Sequence, residues 1–210
     1  MDLDALKEAV ITGNAPRAKE LTQQAIDEGL EAQAILGECL IPAMDEVGRK
    51  FECNEYFVPE LLIGARAMKG AMELLGPLLK ASGIEPRGTV AIGTVKGDLH
   101  DIGKNLVASM LEGGGYRIVD LGVDVGSDDF LKAVQNDGVD VIALSALLTT
   151  TMPAMQEVVQ SLEAAGLRER VKIIIGGAPI TQQFADEIGA DGFADNASAA
   201  VGLVRRLSAA

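Results

Sequence analysis

The sequence predicts an α/β protein: an N-terminal four-helix bundle over residues 1–86, then a doubly wound, five-stranded parallel sheet of the flavodoxin-like or Rossmann-like kind over 87–210. Three observations predict it. The first eighty-odd residues carry apolar positions at helical spacing and no convincing strand. Residues 82–88, Ser-Gly-Ile-Glu-Pro-Arg-Gly, read as a linker at which that pattern stops. From Thr89 onward, short apolar runs alternate with helical stretches, the mark of βα units in series.

In order, Asp2 or Asp4 opens a short helix through Ile11, ended by Gly13. Asn14 caps a second, with Pro16 in its first turn and Gly29 at its end. Residues 31 to about 51 read as a third helix, bent or restarted at Pro42. Pro59 opens a fourth that reaches about Leu79, with Leu61, Ala65, Met68, Met72, Leu75 and Leu79 on one apolar stripe. Short connections make the four an antiparallel bundle. In the second half, strands are expected at 89–94, 117–121, 139–144, 171–175 and around 192–194. Helices follow at 103–111, from a cap at Ser127, from about 153 to 165, and at 180–188 and 197–207. If the strand order is 2-1-3-4-5, the switch point lies between the first and third strands, and ligands bind at that carboxyl end. The loop after the first strand then meets the stretch from Ser145 to Thr151.

Composition narrows the function. A 210-residue chain that is 48% hydrophobic can bury a sizeable core, but with 3% aromatics and no Trp that core is aliphatic. A net charge of −13 argues against nucleic-acid binding and against anionic membranes. No signal peptide and no membrane span are expected, which suits a cytoplasmic protein. Cys39 and Cys53 are read as two reduced, mostly buried thiols.

The only histidine, His100, lies in Gly97-Asp98-Leu99-His100-Asp101-Ile102-Gly103, between the first strand and its helix. Asp98, two residues earlier, is placed to reach one ring nitrogen if the loop turns back, leaving the other free. One histidine and one carboxylate do not build a zinc site, which takes three or four protein ligands. A metal that brings its other ligands in a macrocycle needs one imidazole. Spacing alone fits a surface-loop histidine paired with a nearby aspartate at least as well. The loop also looks like a P-loop, but five residues separate Gly97 from Gly103, and Asn105 stands where a magnesium-binding hydroxyl belongs. Asp98 and Asp101 would repel phosphates, so a nucleoside triphosphate site is excluded.

Asp98-Leu99-His100-Asp101-Ile102-Gly103 resembles the Asp-x-His-x-x-Gly signature of cobalamin-binding domains. Ser145-Ala146-Leu147 resembles the family's Ser-x-Leu element, and Gly176-Gly177 its Gly-Gly element. Glu46-Val47-Gly48-Arg49-Lys50-Phe51 and the stretch from Tyr56 to Leu62 are similar to the cap bundle that precedes this domain in methionine synthase and in stand-alone corrinoid proteins. The resemblance implies a cobamide, a cobalt cofactor, held with His100 as axial ligand and Asp98 bonded to that histidine. It implies a hydroxyl on the aspartate from Thr151, and contacts from Asp101, Ile102 and Gly103. Ser145, Leu147, Thr149, Gly176 and Gly177 would line the slot for the cofactor's nucleotide tail. Met44, Phe57, Leu61, Ala65 and Met68 would cover the upper face, although for any single one of them bundle core is the favoured reading.

The activity so implied is methyl carriage between a substrate-specific methyltransferase and a second methyltransferase serving tetrahydrofolate or a thiol, with a reductive activase as a further partner. The cap would move aside about the 82–88 linker. Alternatives of other classes are a cobamide-dependent mutase subunit, a corrinoid-binding sensor and a plain flavodoxin-like binding module. In the mutases ordinarily no four-helix cap precedes the domain, and light-sensing versions use a tryptophan over the corrin, whereas this sequence has none.

Overall fold

The computed structural model describes residues 3–209, so the helix start expected at Asp2 lies outside the described residues. The chain divides into two compact units, Met1–Arg87 with Glu112–Gly115, and Gly88–Leu111 with Tyr116–Ala210.

The first unit is helical. It contains α1 (Leu3–Ile11), α2 (Ala15–Asp27), α3 (Ala32–Ala34), α4 (Ile41–Glu52) and α5 (Val58–Ala81). Packing joins α2 to α5, α1 to α2 and α4, and α4 to α5. Asn14 caps α2 by accepting from the Arg17 amide at 3.2 Å. At Pro42 the chain neither stops nor restarts. A proline lacks an N–H and its ring crowds the carbonyl four residues back. Ile35–Leu40 widens into a π turn, with the Ile41 amide donating to Leu36 O, and joins α3 to α4 without a break.

The stripe on α5 is buried at Leu61, Ala65, Met68, Leu75 and Leu79. Met72 is only half-buried, while Gly64, Ala67 and Ala71 are buried on that helix. The cysteines correct the expectation of two buried thiols. Cys39 is buried, and burial pushes its thiol up to about 11. Cys53 is exposed, because it follows the last turn of α4 where Asn54 reverses the chain at φ 58°.

The second unit alternates β1 (Thr89–Val95), α6 (Ile102–Gly113), β2 (Arg117–Val125), α7 (Ser127–Asn136), β3 (Val141–Ser145), α8 (Met152–Ala164), β4 (Lys172–Gly176), α9 (Gln182–Ile188), β5 (Gly192–Phe193) and α10 (Ala197–Ser208). All strands are parallel, in the order β2-β1-β3-β4-β5. Every residue of β1 is buried, as a central strand covered on both faces must be. Phe130, Ile142, Met155, Leu162, Ile173 and Ile175 form the middle of the core.

Two boundaries differ from the sequence reading in ways that bear on the site. Gly126, not Ser127, occupies the cap position of α7. β2 runs past Leu121 to Val125 by bulging. Ile92 faces Asp120, but Gly93 faces Gly122 and Val95 faces Val125, so residues of β2 are left unpaired between them. No helix among the described residues is long and apolar enough to cross a membrane.

Candidate functional site

β1 and β3 are neighbours and their carboxyl ends align, with Thr94 opposite Ser145 and Ser145 opposite Gly176. The loops after these strands therefore start side by side, and Asp98 joins them. Its side chain is wholly buried. Oδ1 accepts from the His100 amide at 3.1 Å and lies 2.7 Å from His100 Nδ1. Oδ2 accepts from the Leu147 amide at 2.7 Å and the Leu148 amide at 3.3 Å, and lies 2.8 Å from the Thr151 hydroxyl. Burial, the largest single influence on this carboxyl, pushes its pKa up. The Leu147 amide, the His100 ring and amide, and the Thr151 hydroxyl together outweigh it and hold the group well below the usual carboxylate range. Asp98 is ionised at neutral pH.

An ionised Asp98 accepts at Oδ1, so a neutral His100 donates from Nδ1 and keeps its lone pair on Nε2. The His100 side chain is 52% exposed while its partner is 0% exposed. The imidazole thus stands at the surface on a buried, fixed anchor. That arrangement suits a ligand or a base, whereas a surface pair of convenience would leave the carboxylate in water.

Thr151 serves Asp98 and not its own helix. It occupies the cap position of α8, yet its hydroxyl makes no capping bond. The hydroxyl lies 2.8 Å from both Asp98 Oδ2 and Leu148 O.

The other expected residues divide. Asp101 accepts from Asn105 through its main-chain and side-chain oxygens, at 2.8 and 3.1 Å, and starts α6. Ile102 is 79% exposed, Leu99 71%, Leu147 42% and Leu148 43%, an apolar rim around an ionic centre. A Cβ at Gly103 would meet nothing within 4 Å, so that glycine leaves open space in the first turn of α6. Ser145 is half-buried and Thr149 exposed, and neither joins the Asp98 cluster.

At Gly177, φ is +135° and a Cβ would sit 1.8 Å from Ala146 O; at Gly176 it would sit 3.0 Å from Ala194 O. Both glycines thus admit the protein's own backbone at the ends of β3 and β5. Gly93 likewise admits a side chain of the protein itself, Phe130, whose Cζ would lie 2.8 Å from a Cβ there. In the helical unit, Met44, Leu61, Ala65 and Met68 are at most 7% exposed, while Phe57 is 61% exposed. Of the five expected cover residues only Phe57 offers its side chain to a ligand in this structure, and Val58, Leu62 and Ile63 are exposed near it in the sequence.

Three contributors were not singled out from the sequence. Buried Thr94 donates from its hydroxyl to His100 O at 2.8 Å, pinning the loop to β1. Lys104 is buried, and its ammonium donates to both oxygens of Asp120 at 2.6 and 2.7 Å and to Asn105 Oδ1 at 2.7 Å. A lysine so committed is not free for a phosphate, which agrees with the exclusion of a P-loop. Asp124 accepts from the Gly97 amide at 2.7 Å, and its own amide donates to Asp98 O at 3.0 Å.

Comparison with known proteins gives the same direction. A family model described as a B12 binding domain matches residues 88–202, and a second with the same description matches 2–75. A corrinoid protein of Desulfitobacterium hafniense (strain Y51) is 39% identical over 208 residues, covering 98% of this chain and 96% of the relative. The trimethylamine corrinoid protein of Methanosarcina barkeri is 40% identical over 201 residues, 95% of this chain and 93% of that one. Among solved structures, the methanol:cobalamin methyltransferase complex of Methanosarcina barkeri aligns with 99% of this chain and 79% of its own at 30% identity and a TM-score of 0.87.

Proposed function

The chain belongs to the B12-binding domain family, and on that premise we propose that it is a corrinoid methyl carrier. His100 would hold the cobalt of a cobamide through Nε2, and the carrier would work between a substrate-specific methyltransferase and a second methyltransferase that serves tetrahydrofolate or a thiol. The observation that carries the reading is the 2.7 Å contact between exposed His100 and the wholly buried Asp98.

The donor set fits the cofactor. Among the described residues no group of three His, Cys, Asp or Glu side chains could hold a metal ion. His100 therefore suits a cobalt that brings a macrocycle's ligands with it. When bound, the cobamide supplies a cobalt centre that accepts a methyl group and yields it to a nucleophile.

The remaining roles belong to the protein. Asp98 fixes the ring's tautomer and orientation and raises the basicity of Nε2. The amides of Leu147 and Leu148 and the Thr151 hydroxyl keep Asp98 anionic. Leu99, Ile102, Leu147 and Leu148 give the macrocycle an apolar rim, and Gly103 leaves room against α6. Ser145 and Thr149, with the Gly176-Gly177 turn, line the slot for the nucleotide tail. In the helical unit, exposed Phe57 is the residue that would be available to shield the cofactor. A reductive activase would be a further partner.

Relatives named for trimethylamine and dimethylamine make a methylamine the first donor to test. The test is the visible spectrum of anaerobically purified, cobamide-loaded and reduced protein, taken before and after adding a methylamine and its methyltransferase. Bleaching of the reduced-cofactor band only when donor and methyltransferase are both present is expected. Apoprotein that takes up no cobamide would overturn the reading.

A further inference from the structure

Asp124 is one of two described non-glycine residues with positive φ, at 55°, and it lies beside the site. The left-handed conformation is disfavoured for residues with a Cβ, and aspartate and asparagine are among the few that tolerate it. Strain of this kind persists where surrounding contacts hold it, and those contacts are present here. The bulged end of β2 brings Asp124 beneath the loop after β1. There its Oδ1 accepts from the Gly97 amide at 2.7 Å, while its amide donates to Asp98 O at 3.0 Å. Two consecutive loop residues are thus gripped by one residue of a neighbouring strand, one through its side chain and one through its backbone.

From this geometry we infer that Asp124 is a positioning residue for the Asp98–His100 pair. The grip sets the backbone of Gly97 and Asp98 and so aims the Asp98 carboxylate between the ring of His100 and the amides of Leu147 and Leu148. Thr94 holds the far side of the same loop at His100 O, 2.8 Å away. The edge strand therefore supplies part of the support for a pair carried by the central strand. The inference takes its functional meaning from the reading of His100 as a cobalt ligand, but its test does not need the cofactor.

Because the protein has a single histidine, imidazole nitrogen NMR of the apoprotein reports His100 without ambiguity. Asp124→Asn keeps both the left-handed backbone and an acceptor oxygen; Asp124→Gly keeps the backbone and loses the acceptor. The expected result is a fixed Nδ1–H tautomer in the wild type and in Asp124→Asn. In Asp124→Gly the tautomers should average, and the Gly97 amide should exchange with solvent about tenfold faster, as for the loss of one hydrogen bond. Circular dichroism confirms folding of each variant, and Asp124→Ala, which also lacks the acceptor, serves in place of the glycine variant should that one not fold. An unchanged tautomer in a folded variant that lacks an acceptor at position 124 overturns the inference. Equal averaging in Asp124→Asn overturns it too. If the tautomer behaves as expected but the protein takes up no cobamide, the positioning role stands and the carrier reading falls.

Discussion

Asp98 Oδ2 and Thr151 Oγ1 stand 2.8 Å apart although 53 residues separate them in the chain. Strand order brings them together. β3 pairs directly with β1, so the loop that carries Asp98 and the loop that ends with Thr151 leave the carboxyl end of the sheet side by side. The hydroxyl that would ordinarily cap α8 is spent on a carboxylate from another loop. Local helix stability is given up for an anchored site.

Replacing Thr151 with Val removes that hydroxyl while keeping the shape of the side chain. Asp98 Oδ2 is then left with the two amides, at 2.7 and 3.3 Å. A loss of about 1–3 kcal/mol in urea unfolding is expected, and Thr151→Ser should recover most of it.

Asp98 should govern the acid limb of stability. Folding holds its carboxyl below the unfolded value of about 3.9, so its ionised form stabilises the protein at pH above about 4. That contribution is lost as pH falls below this value toward the depressed folded one. Asp98→Asn should cost about 3 kcal/mol at neutral pH, because buried donors lose their anion. Its stability should then fall less steeply than the wild type's below pH 4. Parallel acid limbs in denaturant titrations would show that the group is not held ionised by the fold.

Two glycines of the family signature should respond oppositely to alanine. Gly177→Ala drives a Cβ into Ala146 O in a left-handed backbone, and should destabilise the apoprotein by about 3 kcal/mol or more. Gly103→Ala meets open space in α6, and should leave the apoprotein as stable or about 0.5–1 kcal/mol more so. If Gly103 faces the macrocycle, the same variant binds cobamide more weakly. Thermal melts and cobamide titration of both variants separate packing from ligand contact.

Much of this was legible in the sequence, for physical reasons that can be named. Apolar runs between helical stretches fix the βα succession, and the carboxyl-end rule then points to the loops of His100 and Ser145–Thr151. The Asp98–His100 contact followed from a two-residue spacing across a turn. The end of β2 was not legible, because Gly122 and Asp124 look like turn formers and a bulged strand uses the same residues. Asp124 and Thr94 act through backbone groups of the loop, and that leaves no side-chain pattern to read. In the helical unit, a ligand-facing stripe and a core stripe share one periodicity, so Met44, Leu61, Ala65 and Met68 could not be told from core until their burial was known. Cys53 shows the same limit at a helix end, where one residue separates a buried turn from solvent.

The central claim is that the one imidazole of this chain binds cobalt. Protein grown with ¹⁵N-histidine and loaded with cobamide in its divalent state tests it directly by electron paramagnetic resonance. Ligation by His100 predicts that the threefold nitrogen splitting of each cobalt line becomes twofold with the label. A spectrum that keeps its threefold splitting, with the label verified in the protein, would contradict the account.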